Sequence, residues 1–487
     1  MKLSTRSKEY IIPEYSLTGD LLSFLTCNLQ YRYQNKGNLP PSMPIQLWFG
    51  EFIHGVMEEA YLKWNSSDKK DFPWDWEKEI KPIEDIITKR LKVKGLNPPN
   101  DYLSNYGPKE NMYSARVDRS INIWGPHLFP LIEDAEVLIK GIRNMPLDEN
   151  GNARSEYYSI NGVIDVLSSL KLDEISSIIN DKTNDVMAKD LDSIKEDSKE
   201  SQDDKIMDKS QRNSFQQTLD SFLVISSDDI GDFENSNIGD ISSNGEVNKI
   251  LEYLANDKEF NDILKRFPDD EYEIIIDYKG MRRPCAPNKK DFDMNNIHLL
   301  NDDSNDDNSS LDDYKTWIQH EWQILTYAWL RSMQEDAKPV ICGIIFYLNE
   351  LVPSTGDLVA IREDLRNNKS DIPIDSISKE DWMLLNEWNE KEDLPIHRDL
   401  SDKFKMDRSI RIVNIKEDLI DDSLLEFDEV VNKIESSMIK ELNGSSIKEA
   451  WRADAELRTC TACDFRTFCN KKKKNEDDKS KVPFTIP

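Results

Sequence analysis

The chain has 487 residues and carries 93 acidic against 63 basic side chains, a net charge of −30. That length allows a large core, and the charge excludes nonspecific attraction to nucleic acid by bulk charge, so any such contact needs a local basic groove, a metal or a basic partner. The start, MKLSTRSKEYIIPEYS, lacks the apolar core of a signal peptide, and no run approaches the roughly 18 apolar residues that span a membrane, so a cytoplasmic location is expected.

In chain order, residues 16–34 read as helical and carry Cys27 ahead of an aromatic stretch. Residues 46–64 have an amphipathic helical period, with Phe49, Ile53, Val56, Met57 and Ala60 as core candidates and His54 among them. Residues 73–150 read as mixed, mainly helical. The segment 156–170, EYYSINGVIDVLSSL, reads as two strand-like runs turning at Asn161-Gly162. Residues 171–270 are acidic, rich in Ser and Asn and poor in aromatics, the composition of a partly disordered insertion with a helix around 246–266. A strand follows at 271–280, then a polar tract ending near 313, a helix at 314–333, strands at 338–350 and 407–415, and a helix at 424–441. The tail 471–487 opens with four lysines, a run that is more often solvated than bound to DNA.

Two patterns carry chemistry. Cys460, Cys463 and Cys469 follow C-x2-C-x5-C, and with Cys27 they fit a closed four-thiolate site for zinc or an iron–sulfur cluster, one that would tie the two ends of the domain together. Cys285 and Cys342 stand alone and read as ordinary thiols. In the strand EYEIIIDYKG, Asp277 and Lys279 are two residues apart and share a face. Asp165 is an acid in an apolar strand and wants a cation or a hydrogen-bond donor. Two such carboxylates around Mg2+ or Mn2+ can position a water and lower its pKa for attack on a phosphodiester. Gln323 and Tyr327 lie at i and i+4 on one helix face. Arg282 and Arg283 follow the D-x-K strand and could grip a phosphate, and Tyr31, Tyr33 and Trp48 could stack bases, although aromatics so spaced are more often core. No G-x4-GK[ST] loop is present, which argues against a P-loop helicase.

The ordered blocks GVIDV, IIIDYKG and QILTY, with Cys27 in front and CTACDFRTFC behind, resemble the iron–sulfur branch of the PD-(D/E)XK nucleases, the RecB-like domain of CRISPR-adaptation exonucleases, AddB-type subunits and exonuclease V. The resemblance implies a single α/β nuclease domain over 1–487, with a central mixed sheet flanked by helices and with its ends joined by a [4Fe–4S] cluster on Cys27, Cys460, Cys463 and Cys469. It implies that His54, Asp165, Asp277 and the Tyr278 carbonyl hold Mg2+ or Mn2+, with Lys279, Gln323 and Tyr327 completing the catalytic set. The implied activity is cleavage of single-stranded DNA or DNA ends, exonucleolytic, with a separate helicase or CRISPR integrase as partner and no membrane. Two other readings remain at this level: a non-catalytic DNA-end-binding subunit, and a zinc-clasped scaffold. The family joins its two acidic motifs by a short hairpin, whereas here the acidic segment separates Asp165 from Asp277. The strands can still meet, because closure entropy grows slowly with loop length.

Overall fold

The computed structural model describes residues 12–37, 45–66, 71–104, 107–147, 151, 153–171, 247–266, 271–286, 308–389, 396–453, 455, 460, 463–466 and 469. The chain divides into a larger unit, Met1–Leu172 with Asn256–Pro487, and a smaller one, Asp173–Ala255. The described part of the smaller unit falls mainly in the helix Lys249–Asn256. The expected insertion over 171–270 ends sooner than its composition suggests. Helix Lys258–Arg266 belongs to the larger unit and buries Phe260, Ile263 and Leu264. The expected tail 471–487 lies outside the described residues.

The larger unit is α/β, built on a mixed six-stranded sheet: β1 (Glu14–Ser16), β2 (Ile132–Asn144), β3 (Tyr157–Lys171), β4 (Glu271–Lys279), β5 (Val340–Tyr347) and β6 (Ile410–Asn414). β4 and β5 are almost continuously apolar because both their faces are covered. β3 is the hub. One of its edges pairs antiparallel with β2 along nearly its whole length. Its other edge is shared, with β1 taking Ser159–Asn161 in parallel and β4 taking Val166–Lys171 antiparallel. Between those two partners, residues 162–165 have no ladder partner on that edge among the described residues. Asp165 lies in this gap.

The pairing overturns two expectations. Residues 157–171 form one strand, without a turn at Asn161-Gly162. Gly162 serves close approach instead: a Cβ there would lie 2.6 Å from Cε1 of Tyr327. That ring belongs to helix α2 (Asn308–Ser332, following α1 at Ile45–Ser66), which is laid across the sheet. The same helix sets Ile324 over Gly343 of β5, where a Cβ would be 2.2 Å from Cγ2. The mixed, mainly helical reading of 73–150 also missed β2, whose exposed positions mix charged side chains with Leu138 and Ile142. The helix expected over 16–34 is broken at Cys27, which is extended at φ −167 and ψ 115.

Helix α3 (Glu417–Leu442) closes the core with Phe427, Val430, Val431 and Ile434. It also gathers three arginines from the N-terminal half. Asp428 accepts from Arg143 and the Tyr158 hydroxyl, Glu435 from Arg154 and the Tyr15 hydroxyl, and Glu441 from Arg32 and Trp451. A smaller core of Leu358, Ile361, Leu365, Leu385, Trp388 and Phe404 lies in the segment between β5 and β6. Cys285 and Cys342 are buried and outside any disulfide, as expected of core cysteines. Among the described residues no helix is long and apolar enough to cross a membrane.

Candidate active site

Asp165 sits one step beyond the Val166↔Ile276 pair, so the β3–β4 register brings it opposite Asp277. Two carboxylates far apart in sequence thus become cross-strand neighbours. α1 supplies His54, whose Nδ1 is 3.2 Å from Asp165 Oδ2. The same oxygen accepts the backbone N–H of Tyr278 at 2.9 Å, which bridges the unpaired stretch of β3 to β4.

Asp277 and Lys279 meet on one strand face, with Nζ 2.8 Å from Asp277 Oδ2. α2 locks this pair from the side. Gln323 accepts from Lys279 Nζ at 2.8 Å through Oε1 and donates to Asp277 Oδ1 at 3.0 Å through Nε2, which lies 3.3 Å from the Tyr327 hydroxyl. The helical spacing of Gln323 and Tyr327 therefore puts one amide between acid and base. Asp277 Oδ2 is buried, and no donor reaches it in hydrogen-bonding geometry, since Lys279 approaches off the favourable direction.

The electrostatics follow from this packing. Burial alone would lower His54, but the Asp165 carboxylate and its hydrogen bond raise it to about 9. Burial pushes Asp165 up, and the His54 charge, the Tyr278 N–H and Lys279 outweigh that and hold it below the usual carboxylate range. Asp277 is raised, by burial first and then by the neighbouring Asp165 charge, against the pull of Lys279. Burial would lower Lys279, yet Asp277 raises it overall, so it stays a cation.

A cavity opens beside these groups, lined by His54, Glu58, Glu136, Asp165 and Tyr278 over an apolar wall that includes Met57 and Val166. Glu58 and Glu136 were not singled out from sequence. Glu58 had a usable signal, four residues after His54 on one helix face. Glu136 had none, because its strand was not recognised.

A divalent cation fits this donor set. Asp277 Oδ2 is buried with only the off-axis Lys279 ammonium beside it, and burial together with the Asp165 charge raises the Asp277 carboxyl. Among the described residues no group of three or more His, Cys, Asp or Glu side chains already stands close enough together to hold an ion.

The cysteines form a second cluster. Cys27, Cys460 and Cys469 contribute to the same core, with Cys27 buried within it. The ends are stitched together by the Leu29 N–H donating to the Arg452 carbonyl at 3.0 Å and by Tyr33 against Phe465 at 5.3 Å. The N–H of Cys463 donates to the Cys460 carbonyl and that of Cys469 to the Arg466 carbonyl. Burial raises the Cys463 thiol, and the nearby Cys27 and Cys460 sulfurs raise it further. None of the six cysteines is in a disulfide.

Other sequence candidates are spent on structure. Arg282 is tied to Asp364, and Arg283 is buried against Asp371 and the carbonyls of Asp407, Arg408 and Ile410, so neither is poised to grip a phosphate. Tyr31 and Trp48 are fully buried and cannot stack bases, while Tyr33 packs on Phe465. The chain matches no protein-family model, and no curated protein matches it significantly.

Proposed function

We propose that the protein is a metal-dependent deoxyribonuclease of the PD-(D/E)XK type, hydrolysing single-stranded DNA from a free end. The observation that carries this reading is the cross-strand meeting of Asp165 and Asp277, with Lys279 on the same strand as Asp277 and His54 against Asp165. His54, Asp165, Asp277 and the Tyr278 carbonyl would hold Mg2+ or Mn2+. Bound there, the ion supplies an acidified water and charge neutralisation at the phosphate.

The remaining work falls to side chains of this chain. Lys279, kept protonated by Asp277, offers positive charge to a phosphate oxygen. Gln323 fixes the Lys279 ammonium and the Asp277 carboxylate through hydrogen bonds to both, and Tyr327 holds Gln323. His54 must lose its proton before it can act as a ligand. Cys27, Cys460, Cys463 and Cys469 would carry a [4Fe–4S] cluster that stabilises the domain by joining its ends, and a separate helicase or CRISPR integrase would present the DNA end.

Asp277→Ala and Lys279→Ala are expected to abolish cleavage of single-stranded DNA in Mn2+ while the protein stays folded. Undiminished cleavage by purified Lys279→Ala would overturn the assignment. Anaerobically purified protein should be brown, and a colourless protein containing zinc would replace the cluster with a zinc clasp.

A further inference from the structure

Glu136 stands in a place that strand geometry does not favour. It lies in the middle of β2, yet its backbone is left-handed at φ 54. Among the described residues the other non-glycine residue with positive φ is Asn368, a type whose short amide tolerates that region. A glutamate has no such compensation, and residues held this way cluster where function requires them.

Its position coincides with the candidate site. The flanking pairs Ala135↔Val166 and Val137↔Ile164 set Glu136 across β3 from Asp165, and Asp165 in turn faces Asp277 on β4. Glu136, Asp165 and Asp277 thus form one row across three adjacent strands, and Glu136 lines the cavity with His54 and Tyr278.

The other charged groups in that row are engaged. Asp165 Oδ2 takes His54 and the Tyr278 N–H, and Asp277 takes Gln323 and Lys279. Lys279 is bound to both Asp277 and Gln323 and has no free lone pair with which to accept a proton. Glu136 lines the cavity, where partial burial first and then the charges of Asp165 and Glu58 act on its carboxylate. Glu58 lines the same cavity, but from a regular turn of α1.

We infer that Glu136 is the general base of the proposed hydrolysis, a role that rests on the nuclease reading above. A water at the cavity gives one proton to the Glu136 carboxylate, and its oxygen forms the new bond to phosphorus. The phosphorus–oxygen bond to the leaving sugar breaks, its electron pair stays on that oxygen, and the oxygen takes a proton from solvent. The Glu136 carboxyl then returns its proton to bulk water. The left-handed backbone aims the carboxylate at the cost of local strain.

The test compares wild type, Glu136→Gln, Glu136→Gly and Asp277→Ala on a short single-stranded DNA with Mn2+. Glu136→Gln should lose about 100-fold in kcat, within the range for removal of a general base, with KM and Mn2+ affinity retained. Glu136→Gly should lose as much activity and yet melt above wild type, because glycine relieves the strained φ. This opposite movement of activity and stability is something a merely structural glutamate would not produce. Full activity in Glu136→Gln alongside an inactive Asp277→Ala would overturn the role of Glu136 and leave the nuclease reading intact. A wild type that cleaves no better than Asp277→Ala would overturn both. Lower melting of Glu136→Gly would overturn the strain argument.

Discussion

Asp165→Asn should move the titration of His54 by a large and visible step. The native imidazole is raised from 6.5 to about 9, with Asp165 as the principal source of the rise. That difference corresponds to about 3 kcal/mol between the two protonation states. The imidazole is 30% exposed, so solvent screening reduces the net contribution to about 1–2 kcal/mol. Because the folded-state value is raised, the stabilisation is fully present below about pH 6.5 and is lost as pH climbs through about 9. Metal-free wild type should therefore melt at progressively lower temperature between pH 6.5 and 9. Asp165→Asn should lose most of that dependence, since its principal source is gone and only the Asp277 charge is left to oppose burial and Lys279. With five histidines in the chain, imidazole carbon NMR on labelled protein can follow them individually. Burial lowers His320 and His397, which keeps both clear of the His54 window. A native His54 midpoint at or below 6.5, or one unmoved by Asp165→Asn, would refute the pairing and the site geometry built on it.

Gly162→Ala should cost about 1–3 kcal/mol in urea unfolding, because the new methyl would sit 2.6 Å from the Tyr327 ring. It should also lower Mn2+-dependent cleavage by displacing the Tyr327–Gln323 contact. Glu84→Gln should stabilise the protein at pH 8 and leave it little changed at pH 5. Burial raises Glu84 to about 7 despite donors from Trp76, Ser114 and Tyr102, so the native carboxyl loses stability as pH rises from about 4.5 through 7. A thermal melt that responds equally at both pH values would contradict this. Cys27→Ser should lose iron and melt markedly lower, and unchanged iron content would remove Cys27 from the ligand set.

The sequence made legible whatever is encoded locally. The apolar runs at 271–279 and 340–347 are strands, and the helical period around His54 is a helix. The D-x-K pair and the helical Gln323–Tyr327 spacing sit where their periodicities place them. What was missed depends on partners distant in the chain. β2 carries charge on its open side and is specified by pairing with β3, so its alternation is weak in isolation. Asn161-Gly162 has the composition of a turn, but the glycine answers to Tyr327 on a helix formed much later in the chain. Arg283 looked free beside β4 because its acceptors, Asp371 and the carbonyls near 407–410, come from the segment leading into β6. The end of the acidic stretch turned out to be core because Phe260, Ile263 and Leu264 repeat on one face of a short helix amid charged neighbours.

The three acids of α3 bear on how this protein is made. Tyr15 reaches Glu435 across 420 residues, and Arg32 reaches Glu441 across 409. A ribosome releases the N-terminal strand and its arginines long before their acceptors exist. Until α3 has emerged, Arg32, Arg143 and Arg154 have no carboxylates, and β3 lacks the Phe427 side chain that stacks on Tyr158. The nascent chain must wait with its hub strand half covered, a state dominated by non-local contacts and therefore slow to resolve and exposed to aggregation. A chain stalled or truncated before residue 417 should consequently be a client of chaperones and proteases rather than a smaller folded protein.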